Sequence, residues 1–175
     1  VPAAFVHANA STDLFRERSF FGIVRVSEAL DGRYHRMMHG STLHGAMQVA
    51  HDGKPIAGKP VPFTYYHESG GMAAALKAMQ QRRGGSAGRV GAIGLGSGSI
   101  ICHAVPGEDW TFCEIDRIVV DAARDPKLFR FMPECGPDVP VVIDDARLTL
   151  ASEPDGAFDF LLIDAFSSDS IPAHL

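Results

Sequence analysis

Three glycines in five residues, Gly94-Leu95-Gly96-Ser97-Gly98, follow directly on the apolar run Val90-Gly91-Ala92-Ile93. A strand running into so glycine-rich a turn constrains this chain more than any other feature. Glycine is needed where the backbone turns through positive φ, and where another group must approach with no Cβ in the way. A helical segment is expected from about Ser99, and the first N–H groups of a helix have no partners inside it. Such a turn can hold a polar ligand group over a helix N-terminus. The spacing is GxGxG, with Ser99 where the dinucleotide fingerprint GxGxxG has its third glycine. The loop therefore tilts from a dinucleotide toward an adenosyl cofactor held by Gly94, Gly96, Ser97 and Gly98.

Around this loop the pattern alternates between strand and helix. Strands are predicted over 89–94, 110–115, 139–143 and 158–164, with helices from about Ser99, Arg117 and Arg147. That alternation predicts an α/β, Rossmann-like parallel sheet with crossover helices. The chain stops eleven residues after Asp164, so four parallel strands are expected where doubly wound sheets usually have more, and the domain is read as truncated. Upstream, apolar residues at helical spacing predict a helix from Gly71 to Arg83, stopped by Gly84-Gly85-Ser86, where the pattern changes. Residues 19–64 hold short strand-like runs (20–26, 32–38 and 46–50) separated by Asp31-Gly32, His39-Gly40 and Asp52-Gly53, which predicts a small antiparallel sheet. The expected organisation is a β-rich unit over 1–70 and a cofactor-binding unit over 71–175.

Carboxylates stand at the C-terminal ends of the predicted parallel strands. Glu114 ends the second, where a carboxylate can accept hydrogen bonds from both ribose hydroxyls. Asp145, in Asp144-Asp145-Ala146, is placed either to accept the adenine amino hydrogen or to cap the helix from Arg147, and spacing leaves both readings open. Asp164 ends the fourth strand, and a carboxylate there needs a cationic or hydrogen-bonding partner. A cationic substrate would supply one, and so would backbone N–H groups of the following loop.

Composition narrows the function. The formal net charge of -5 offers no basic footprint for nucleic acid. Cys102, Cys113 and Cys135 are an odd number without a CxxC pair, so neither a disulfide framework nor a thiolate metal site is expected, and a reducing cytoplasm fits. His35, His39, His44 and His51 cluster in sequence, yet no carboxylate or cysteine falls at a recognised ligand spacing, so no metal is expected. No apolar run reaches the roughly 20 residues that span a bilayer. The chain opens Val1-Pro2-Ala3 without methionine and reads as an excised or processed segment.

The ordered set Tyr65-Tyr66-His67-Glu68, Gly94 to Gly98, Glu114-Ile115-Asp116, Asp144-Asp145-Ala146 and Asp164 resembles the spermidine synthase family of polyamine aminopropyltransferases, and more narrowly its spermidine synthase-like members, some fused to membrane transporter segments. The resemblance covers nearly the whole chain. It implies that Glu114 holds the ribose, that Asp145 with Ala146 sits at the adenine, and that Asp164 acts on the amine nucleophile. It also implies that Tyr66 and Asp169 line the amine pocket and that His67 lies beside the sulfonium. The sequence departs from the family at three places. Ser97 replaces an acidic loop residue, His39-Gly40-Ser41-Thr42-Leu43 stands for DGxxQ with His44 next to it, and the second acid of Asp-x-x-Asp becomes Ser167.

The activity so implied is transfer of the aminopropyl group of decarboxylated S-adenosylmethionine to a small-molecule amine, with no metal. Two rivals remain at this stage: a methyltransferase using intact S-adenosylmethionine, which a neutral Ser97 favours, and a non-catalytic nucleotide-binding domain linked to a membrane transporter upstream. A homodimer and a cytoplasmic location complete the expectations.

Overall fold

A computed structural model describes residues 12–29, 32–50, 54 and 56–165. An antiparallel sheet of β1 (Asp13–Ser19), β2 (Gly22–Ala29), β3 (Tyr34–His39) and β4 (Thr42–Gln48) comes first, in the order β1-β2-β3-β4. Its inner face alternates as a half-buried sheet requires: Val24 and Val26 on β2, His35, Met37 and His39 on β3, Gly45 and Met47 on β4. The turn after His39 is the expected one, with Gly40 at φ 58. Asp31, His51, Asp52 and Gly53 lie outside the described residues.

A short 3-10 turn, Thr64–Tyr66, leads into α1 (Gly71–Arg82). The parallel sheet follows: β5 (Arg89–Ile93), β6 (Asp109–Glu114), β7 (Val141–Ile143) and β8 (Phe160–Ile163), in the order β7-β6-β5-β8. Between them lie α2 (Arg117–Arg124), α3 (Phe131–Cys135) and α4 (Ala146–Ser152). This is an α/β Rossmann-like fold. The chain leaves β5 on one side through β6 and β7, then returns to its other side as β8, so β5 is the point where strand order reverses. In open parallel sheets the crevice outside the strand C-termini at that point is where ligands bind. Buried side chains of both sheets, from Val24 and Met37 to Phe112 and Leu162, form one hydrophobic cluster.

Glu108 ties the base of the parallel sheet together. Its carboxylate accepts hydrogen bonds from the N–H groups of Ala87 and Val105, from Gln80 and from the Trp110 indole, at 2.8 to 3.1 Å. Burial works against its charge, but these donors outweigh it and hold its pKa below the usual glutamate value.

Two expectations are corrected and one strand is added. The strand β1 was not foreseen. The helix expected from Ser99 is a single 3-10 turn, Ser99–His103: only fourteen residues lie between Gly94 and Asp109, Pro106-Gly107 uses part of them for a turn, and β-branched Ile100 and Ile101 disfavour a longer helix. Cysteines expected to be unpaired are paired, since Cys102 and Cys135 form a disulfide while Cys113 stays free and buried. That 3-10 turn packs on α3 and sets the two Cα atoms 5.0 Å apart across 33 residues of sequence, a proximity no local spacing encodes. The expectation of a reducing compartment loses the support it drew from unpaired cysteines. Among the described residues no helix is long and apolar enough to cross a membrane.

Closing a loop of this size is worth about 3–4 kcal/mol through the unfolded state. Cys102→Ser is therefore expected to lower the thermal midpoint by about 10 °C, and reductant should lower the wild type alike. Equal midpoints in calorimetry would contradict the pairing.

Candidate functional site

The glycines of the loop serve close backbone approaches on three sides. Gly94, Gly96 and Gly98 have φ values of 88, 53 and 75. A Cβ on Gly94 would run into the carbonyl of Asp164 after β8, one on Gly96 into the His44 carbonyl of β4 at 2.7 Å, and one on Gly98 into Met132 of α3 at 2.5 Å. Ser97 N–H donates to the His44 carbonyl at 3.3 Å. The loop is thus wedged between the two sheets, which accounts for part of its glycine content without any ligand.

Above the loop opens a cavity of about 360 Å³. Gly94, Gly96, Glu114, Asp145, Ala146 and Asp164 line it from the parallel sheet, and Phe20, Phe21, His39 and His44 from the small sheet. Glu114 is almost fully buried. Its Oε2 accepts the Leu95 N–H at 2.9 Å and its Oε1 the Asp116 N–H at 3.0 Å. Burial pushes its pKa up and these backbone donors pull it down, with a net rise. Asp116 caps α2 by accepting the Ile118 N–H, and it accepts the Ser19 hydroxyl at 2.5 Å, which fastens the β1–β2 hairpin to the parallel sheet. Asp145 caps α4 through the Arg147 N–H and pairs with the Arg147 guanidinium. The capping reading left open by the sequence is therefore realised, in a residue that also lines the cavity.

A second cavity of about 360 Å³ adjoins the first, bordered by Thr42, Leu43, His44, Tyr65, Met72 and Asp164. Asp164 and His44 line both. Tyr66, 4% exposed, donates its hydroxyl to Asp164 Oδ2 at 2.5 Å. The structure therefore brings together Asp164, Tyr66, Glu114, Asp145, Ala146, Gly94 and Gly96.

Other expected site residues stand apart. His67 lines neither cavity; its Nδ1 lies 2.8 Å from the Ser69 hydroxyl and its ring faces Phe63. Ser97 is buried with its hydroxyl against Gly45, where β4 closes over the loop, and Gly98 faces Met132 of α3, so neither lines a cavity. Asp169 and Ser167 lie outside the described residues. Among the described residues no group of three or more His, Cys, Asp and Glu could hold a metal ion. His35 and His39 instead donate ring N–H groups to the carbonyls of Leu128 and Phe21, each at 2.9 Å. Sequence reasoning missed His44 and the Phe20-Phe21 turn as cavity walls, and Phe20 stands 97% exposed at the rim.

Geometry and fold together define a Rossmann-like parallel sheet with two adjoining cavities, roofed by a small antiparallel sheet. Compared with known protein families and with curated protein sequences, the chain shows no match. Among solved structures its fold is similar to that of spermidine synthase from Thermotoga maritima, with a TM-score of 0.56 and 19% identity over 93% of this chain and 48% of that one. It is also similar to a spermidine synthase in complex with the transition-state analogue AdoDATO, with a TM-score of 0.55 and 18% identity over 87% of this chain and 47% of that one. The chain spans about half the length of these structures.

Burial first, then the charge of Asp164, raises the pKa of both Tyr65 and Tyr66 well above the ordinary value of about 10. A group whose folded pKa is raised lends stability that is present below its unfolded pKa and lost as pH rises past it. In an ultraviolet alkaline titration, two of the three tyrosines should ionise only as the fold opens. Tyr66→Phe should reduce the loss of stability above pH ~10. Ionisation of Tyr65 and Tyr66 at pH ~10 in folded protein would contradict the burial and the Tyr66–Asp164 bond.

Proposed function

We propose that this chain is the core of a spermidine synthase-like aminopropyltransferase, taking decarboxylated S-adenosylmethionine in the first cavity and an amine acceptor in the second. One observation carries the reading: Asp164, held by Tyr66, stands at the junction of two adjoining cavities. Group transfer needs such a junction, because donor and acceptor must meet in a fixed geometry with a charged group beside the reacting nitrogen.

The residues present suit an adenosyl ligand. The backbone N–H groups of Leu95, Asp116 and Ile115 engage the Glu114 carboxylate, and a carboxylate offers about four acceptor positions, so capacity is left for a ribose hydroxyl. Asp145 and Ala146 stand further along the same wall, at the adenine end, while Gly94 and Gly96 let the ligand approach the backbone. His67, Ser97 and Gly98 are left out of the assignment because they line neither cavity. Asp169 keeps its proposed place at the amine on the resemblance alone.

An alkylamine with a pKa near 10.4 arrives protonated. Asp164 holds the ammonium by charge and passes one proton on. The freed lone pair attacks the carbon next to the sulfonium; the C–N bond forms as the C–S bond breaks, and that electron pair returns to sulfur as a neutral thioether. Tyr66 positions Asp164 through its hydroxyl. A second reading, methyl transfer from intact S-adenosylmethionine, draws on the neutral, turned-away Ser97, which leaves no loop carboxylate to repel the carboxylate of that cofactor.

Asp164→Asn keeps the shape and the bond from Tyr66 while removing charge. Cofactor affinity should change little and turnover should fall about 100-fold or more, the scale of a positioned proton-transfer group. High pH should restore part of the rate, since free amine then forms unaided. Full turnover by this variant with a true acceptor would make Asp164 structural and the mechanism wrong.

A further inference from the structure

The pairing of β3 with β4 skips at one residue: Met37 faces Gly45 and Met38 faces Leu43, which leaves His44 as the extra residue of a β-bulge. Bulges re-aim a side chain and recur next to active sites. Here the bulged residue borders both cavities, as Asp164 does. Its main-chain carbonyl takes the Ser97 N–H, so the bulge is fastened to the glycine loop. Its Nε2 is buried and has no hydrogen-bond partner among the described residues, whereas buried polar atoms in folded proteins nearly always have one. His39, 5.7 Å away between ring centres, is spoken for by the Phe21 carbonyl and leaves His44 as the uncommitted imidazole of the pair.

Resting on the reading above, we propose that His44 is the catalytic base that removes the acceptor's proton. The ammonium held at Asp164 gives one proton to the His44 imidazole, and the neutral nitrogen then forms the C–N bond while the C–S pair leaves to sulfur. The resulting imidazolium lies next to the Asp164 carboxylate, so no isolated charge is created. Asp164 holds the ammonium and hands the proton on, and His44 is where that proton ends. One Asp164 oxygen already takes the Tyr66 hydroxyl, which leaves that carboxylate fewer positions to keep the proton. The titratable groups facing His44 are His39 from β3, Asp164 from the end of β8, and Tyr65 from the 3-10 turn, whose raised pKa keeps it neutral. Burial and His39 lower the pKa of His44 and Asp164 pulls it up, with a net fall that leaves the ring neutral at pH 7.

The test is His44→Gln, assayed over pH with decarboxylated S-adenosylmethionine and a series of diamines, beside calorimetric binding of 5′-methylthioadenosine. The thioether should bind within about 3-fold of wild type, kcat should fall about 100-fold or more, and the acid limb of the wild-type kcat profile should vanish. In the wild type, the His44 imidazole resonance in an NMR titration should move when a diamine is added to the thioether complex, a readout that needs no variant to fold. Retained kcat with the acid limb intact, or an imidazole resonance blind to the diamine, overturns the role of His44 alone. Absence of wild-type turnover with every diamine overturns the aminopropyl-transfer reading and this inference with it.

Discussion

The buried carboxylate of Glu114 is the constraint on which the rest of the site depends. It gathers the Leu95 N–H from the glycine loop and the Asp116 N–H from the start of α2, and so joins the ends of β5 and β6 into one rigid rim. A carboxylate so enclosed is costly without donors; with them it fixes a turn that glycine alone would leave loose. Burial still raises its pKa on balance, against the pull of these donors.

The small sheet completes what the parallel sheet begins. Ser19 reaches Asp116 and the His44 carbonyl takes the Ser97 N–H, so the roof is attached to the rim at separate points, while His39 braces the Phe20-Phe21 turn within the roof. The cost is visible at Gly45, whose φ of 147 and contact with the Ser97 side chain leave no room for a larger residue. Ser97 thereby serves packing, while the polar walls of the two cavities come from Glu114, Asp145, Asp164 and His44. Bringing Asp164 to the seam between the cavities is a consequence of strand order, since β8 pairs beside β5 and its end meets the glycine loop.

Much of this was legible in the sequence because it is local. The periodicity over 71–83 and the glycine stop predicted α1 to within a residue, and the strand-end carboxylates landed where alternation placed them. The strand β1 was not legible. DLFRERS has no apolar face, and it is held as an edge strand by its ladder to β2. The disulfide depends on α3 meeting the 3-10 turn, a tertiary contact across 33 residues. His44 escaped because the strand-like run was read from residue 46 on, whereas β4 begins at Thr42 and carries His44 as a bulged residue that no alternation pattern marks. The dual nature of Asp145, helix cap and cavity wall, could be resolved by geometry alone.

The central claim is that one cavity takes an adenosyl group and its neighbour an amine, with Asp164 between them. Calorimetric titration of the wild-type protein with decarboxylated and with intact S-adenosylmethionine, each followed by a diamine, tests it most directly. The account predicts that the decarboxylated form binds and that the diamine then binds more tightly than to free protein, since the second cavity shares a wall with the first. Failure of folded protein to bind either adenosyl compound would contradict it.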